Sequence, residues 1–115
     1  MSTLNDLKNA TGALKDAHGR LHDTTVALAI AKRDLAAAEA KHTLAGLEGK
    51  NEAARRAELA ALTADEQMAV VNAESLHREA QLRLTLAELD YKLAREANAN
   101  YRAELLARAP EEALA

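Results

Sequence analysis

Leucine returns at every seventh residue through the first third of the chain, at Leu7, Leu14, Leu21, Leu28 and Leu35, with mostly polar residues between. A seven-residue apolar repeat held over five heptads predicts a long helix that buries one narrow seam against another helix. Four residues before each leucine, and again at the end of the series, stand Thr3, Ala10, Ala17, Thr24, Ala31 and Ala38. A leucine row flanked by these small residues lets two helices approach closely. The third candidate row, Leu4, Thr11, His18, Thr25, Lys32 and Glu39, is mostly polar, which favours an antiparallel Leu/Ala seam over a parallel zipper. In that frame His18 reads as a polar seam residue that fixes register. From Val26 to Leu47 the pattern is apolar nearly all round, with Ile30, Ala36, Ala37 and Ala40 added. That half is expected to be enclosed in an assembly, and the half before Thr25 to be more exposed.

The punctuation predicts three helices. Ser2 or Thr3 caps a helix over 3–45, with Asn5 and Asp6 in its first turn. Gly46-Leu47-Glu48-Gly49-Lys50-Asn51 is a connector, with Asn51 as the next cap and a short helix over 52–62. Thr63 and Glu66 have the spacing of a capping box. The last helix is expected over 64–108, ended by Pro110, with a frayed tail over 109–115. The whole, residues 1–115, is expected to be a single all-α domain: two long antiparallel helices joined by a short one.

The last helix carries two apolar stripes. One holds Leu82, Leu86, Leu89, Leu93 and Ala97; the other holds Val70, Ala73, Ala80, Leu84, Ala87, Tyr91, Ala94, Tyr101 and Leu105. One can meet the first helix and the other needs a different partner. A homodimer forming a coiled-coil-like four-helix bundle satisfies both, so both stripes and the leucines of the first helix are candidate interface residues. If the Leu84 stripe is the intermolecular one, Leu84→Asp splits the oligomer; if the assignment is reversed, Leu89→Asp does. Tyr91 and Tyr101, large side chains with one wettable end, suit contact surfaces.

Composition narrows the reading without changing it. Alanine and leucine supply 29 and 19 of the 115 residues, a helix-forming vocabulary that leaves too little Val, Ile, Thr and aromatic for a sheet. The apolar share, 49%, is well above that of disordered chains. The longest uncharged apolar run, Val26 to Ala31, stops at Lys32-Arg33, far short of a membrane span, and the first residues lack a signal-peptide pattern. A soluble, cytoplasmic protein is expected. With no cysteine there is no disulfide framework, no thiol nucleophile and no cysteine zinc site.

Charge points to helix surface more than to chemistry. Six acid–base pairs sit at i,i+4 in the favourable order, Asp16–Arg20, Glu52–Arg56, Glu74–Arg78, Glu79–Arg83, Glu88–Lys92 and Glu104–Arg108. The net charge is −3 and the only adjacent bases are Lys32-Arg33 and Arg55-Arg56, so the basic stripe of a nucleic-acid binder is missing. His18 and His22 have the one-turn spacing of a metal pair but no third ligand nearby, and His42 and His77 stand alone. Glu74-Ser75-Leu76-His77 is a single Glu-x-x-His, short of the several inward carboxylates a di-metal bundle needs. There is no phosphate loop, no nucleophile–base pair and no HExxH. No catalytic residue, cofactor or metal is expected, and no enzyme activity.

The segment Gly49-Lys50-Asn51-Glu52-Ala53-Ala54-Arg55-Arg56-Ala57-Glu58-Leu59 resembles the GKN-x-x-x-R-x-x-x-L connector of small helical-hairpin accessory proteins of tailed bacteriophages and prophages. The likeness extends loosely over about Ala40 to Arg108, with Asp65-Glu66 matching the acidic turn that follows the connector in that family. This chain lacks the proline and aromatic that often come after that turn. The resemblance implies a phage accessory protein, sometimes encoded near recombination and replication functions, and supplies no catalytic residues. The function expected is that of a non-enzymatic oligomerisation and protein-interaction protein acting on an unknown protein partner. The alternatives are a recombination or replication accessory contacting nucleic acid, a virion or tail structural or assembly protein, and an inhibitor of a host defence system.

Overall fold

A computed structural model describes residues 2–114 of the protein, with side chains over 2–108. Its elements are α1 (Thr3–Ala45), α2 (Glu52–Leu62) and α3 (Ala64–Leu114). All described secondary structure is helical, and the two long helices pack against each other as a helical hairpin. The caps explain the boundaries. Ser2 Oγ accepts from the Leu4 N–H at 3.2 Å and its carbonyl accepts from the Asp6 N–H at 3.1 Å, so Ser2 opens α1. Gly46 follows α1 with a φ of +97°, a left-handed conformation that lets its N–H turn back to the Thr43 carbonyl at 3.2 Å. Asn51 Oδ1 accepts from the Ala54 N–H at 2.8 Å and starts α2.

The chain forms two compact units. A terminal unit joins Met1–Arg20 with Gln81–Ala115, and a connector unit comprises Leu21–Ala80. In the terminal unit Thr3 Oγ1 donates to Asn98 Oδ1 at 3.2 Å across the helix pair. In the connector unit Thr24 Oγ1 lies 3.0 Å from the Leu21 carbonyl and 3.1 Å from His77 Nδ1. With the hydroxyl proton given to the carbonyl, the imidazole N–H is the donor to Thr24. Both cross-links imply the same antiparallel register, because 3 with 98 and 24 with 77 each add to 101.

That register accounts for the burial pattern. Over α1 from residue 3 to 38 the partly buried positions are the leucine row and the small row, while Thr11, His18, Thr25 and Lys32 are exposed. Within the terminal unit Leu7 stands opposite Ala94, Ala10 opposite Tyr91, Leu14 opposite Ala87 and Ala17 opposite Leu84. Within the connector unit Leu21 stands opposite Ala80, Leu28 opposite Ala73 and Ala31 opposite Val70. In these seven pairs the register sets a large side chain opposite an alanine, which suits a close helix–helix contact, whereas it sets Leu35 opposite Glu66. His18 is therefore not a seam residue: Leu4, Thr11, His18, Thr25 and Lys32 of the third row are exposed, and Thr3 and Thr24 hydrogen-bond across the pair to Asn98 and His77. The Val26–Leu47 half is not enclosed within the chain either, since Val26 and Ile30 are exposed. A two-layer pairing covers only one face of α1.

Two helix ends differ from expectation. At Thr63 the break exists but the capping box does not form. Thr63 Oγ1 donates back to the Leu59 carbonyl at 2.8 Å and accepts from Gln67 Nε2 at 3.0 Å, so the side chain serves the end of α2 rather than the amides of α3. Burial is the reason: Thr63 is fully enclosed, and its hydroxyl needs a carbonyl for its proton. At the other end, α3 continues through Pro110 to Leu114, where a stop after Arg108 and a frayed tail were expected. One proline removes a single N–H at a cost of about 3 kcal/mol, and the flanking Ala, Glu and Leu are strong helix formers that carry the backbone past it.

Candidate interaction surface

The stripes of α3 separate by environment. Leu84, Ala87, Tyr91 and Ala94 are partly buried against α1 in the terminal unit, and Val70, Ala73 and Ala80 lie in the seam of the connector unit. Leu82, Leu86, Leu89 and Leu93 remain 51–60% exposed. At 3.6 residues per turn these four lie about 140–180° round the helix from Leu84. The Leu84 stripe is thus the intrachain one, and Leu84→Asp strikes the hairpin before it strikes any oligomer. Tyr101 and Leu105, counted with that stripe in the sequence, are exposed, because the α1 seam in this unit begins at Thr3, opposite Asn98. Tyr101 instead lines a recess with Ser2, Thr3, Leu4, Asn98 and Arg102 at the start of α1.

Polar members of the α3 seam escaped an apolar reading. Glu66, Glu74, His77 and Asn98 are partly buried there. The signal that finds His77 and Asn98 is spacing alone: Thr63, Val70, His77, Leu84, Tyr91 and Asn98 repeat at sevens, whatever their polarity.

Beside the exposed leucines runs an open groove between Ala13, Asp16, Ala17 and Arg20 of α1 and Arg83, Leu86, Ala87 and Asp90 of α3. Its two acids and two bases leave it without net charge, which suits a protein surface better than a phosphate backbone. His18 and His22 are exposed on α1, and among the described residues no group of three His, Cys, Asp or Glu is placed to hold a metal ion. Among those residues, too, no helix is long and apolar enough to cross a membrane.

The GKN segment has a structural use. The Glu58 carboxylate accepts from the Glu48 N–H at 2.8 Å and the Gly49 N–H at 2.9 Å, two amides that no helix serves. Arg55 Nη1 donates to the Gly49 carbonyl at 3.2 Å. A Cβ on Gly49 would stand 2.6 Å from the Arg55 backbone nitrogen, so the close return of the chain at this point requires glycine. Gly49, Asn51, Arg55 and Glu58 thereby fold the connector onto α2. The motif builds a turn, and its Lys50 side chain stays exposed. No protein-family model, curated protein or solved structure matches this chain.

Proposed function

We propose that this protein is a non-enzymatic helical interaction module that self-associates and docks a protein partner, in the manner of a phage accessory protein. The observation that carries the reading is the row Leu82, Leu86, Leu89 and Leu93, four leucines more than half exposed on one side of α3 while the opposite side is engaged by α1. Scattered exposed leucines are ordinary, but four in successive turns of one helix form a contiguous apolar patch of the kind that marks a binding surface. The chemistry available elsewhere supports the same reading: neutral charge in the groove, and a connector in which Glu58 and Arg55 serve the chain's own backbone. The phage assignment rests on the likeness of that connector alone.

Light scattering on a sizing column at two protein concentrations tests the proposal. A concentration-independent dimer or tetramer is the expected result. A monomer at both concentrations removes self-association.

A further inference from the structure

We infer that the Leu82–Leu93 row of α3 receives the same row of a second copy, antiparallel, about a two-fold axis passing between Ala87 and Glu88. This deepens, and rests on, the self-association proposed above; it adds which face is used and in which direction. The row is a palindrome: 82 with 93 and 86 with 89 each add to 175, so an antiparallel copy sets leucine on leucine in every layer. Glu96 stands one turn beyond Leu93, so a slip toward that end would bury a carboxylate among leucines.

The flanking charges choose the direction. In the antiparallel arrangement Arg83 approaches Asp90 of the second copy, twice by symmetry. Arg83 already has a contact within its own chain, and the five donors of a guanidinium leave room for another acceptor. A parallel pairing would set Thr85 against Asp90 of the copy and give that carboxylate no cation. Arg83, Leu86 and Asp90 also line the neutral groove, which widens the contact toward Asp16 and Arg20 of α1.

Area supports an occupant of this size. The chain exposes 8721 Å², whereas a folded monomer of 12.3 kDa is expected to expose about 6,100 Å². The excess, about 2,600 Å² over the whole chain with the Leu82–Leu93 row as one part of it, exceeds the roughly 800 Å² each partner gives up in a stable dimer of ordinary size.

The absence of cysteine permits a direct test by spin labels on the full chain, at Thr85→Cys and Ala99→Cys, both exposed positions. An antiparallel pair with this axis separates the two copies of residue 99 by about 35 Å along the helices, and the two copies of residue 85 by under about 10 Å. Short distances at both sites mean a parallel pair, and long distances at both mean another face; either overturns this inference while a dimer by light scattering leaves self-association standing. A monomer by light scattering overturns both. Leu86→Glu, introduced twice by symmetry, is expected to weaken the dimer by about 100-fold or more with helix content unchanged. A dimer of undiminished affinity in that variant also overturns the inference, and the label distances decide if the variant fails to fold.

Discussion

The three residues that the fold removes from water, Thr63, Val70 and Ala80, all belong to the connector unit; among its described residues the terminal unit has none. Both units are built on the same seam, leucine opposite alanine in the same register, so the difference lies in what surrounds it. The connector unit has α2 and a connector stapled by Glu58, and Thr63 sits where α2 turns into α3. The terminal unit has two helical stretches and nothing more; its outer leucines stay wet, as do Met68, Val71 and Leu76 on the outer side of α3 in the connector unit. Two helices can shield one line of side chains between them but cannot close a core, which takes a third element or a second chain. The connector unit closes a small core at Thr63, Val70 and Ala80, and the terminal unit closes none among its described residues.

The largest break in that comparison comes from placing a charge in each unit. Val70→Asp leaves an unpaired carboxylate at a buried position and is expected to cost about 3–5 kcal/mol, at any protein concentration. Leu89→Asp changes a side chain that is already half in water, so its cost in the isolated hairpin is under about 0.5 kcal/mol. Urea titrations followed by circular dichroism at several protein concentrations check both. If Leu89→Asp lowers the midpoint equally at high and low concentration, the row is not an intermolecular surface.

Thr63→Val is the next effect in size. The shape is kept, but the Leu59 carbonyl loses its hydroxyl donor and Gln67 Nε2 its acceptor, for an expected loss of about 1–3 kcal/mol. Glu58→Ala is smaller, about 1 kcal/mol, because the connector it holds is exposed. Its signature is local: the Glu48 and Gly49 amides should exchange with solvent faster by about an order of magnitude, while amides of the terminal unit keep their rates. Exchange that rises equally in both units would mean that the staple supports the whole chain rather than its own turn.

What the sequence made legible follows from which forces are periodic. The leucine row and its small neighbours carried the seam of α1 in their spacing, and Ser2, Gly46 and Asn51 announced their ends through local backbone chemistry. The assignment of stripes on α3 was not legible, because both are apolar and only the register of a distant segment decides which one α1 covers. The Leu84 side won once Thr3 met Asn98 and Thr24 met His77. Thr63 shows a subtler limit: a threonine with a glutamate three residues on is a capping signal only while its hydroxyl is free, and burial redirected it to Leu59. Polar seam residues such as His77 were hidden by the habit of following hydrophobicity, although their spacing was in plain view. His18 was the converse, a polar residue credited to a row that faces away.

The smallest effects separate the units by sign. Gly12 and Gly19 lie inside α1 in the terminal unit, and a Cβ at either would meet nothing within 4 Å. Replacing each with alanine removes backbone freedom from the unfolded chain and nothing from the folded one, for an expected gain of about 0.5–1 kcal/mol. Gly46 in the connector unit has equally open surroundings, yet its φ of +97° is one that alanine resists, so Gly46→Ala should cost about 1 kcal/mol. Thermal melts of the three variants under one condition read the contrast directly. A loss at Gly12 or Gly19 would mean that the side of α1 bearing those glycines is occupied in solution, so that any docked chain reaches further round the terminal unit than the leucine row alone requires.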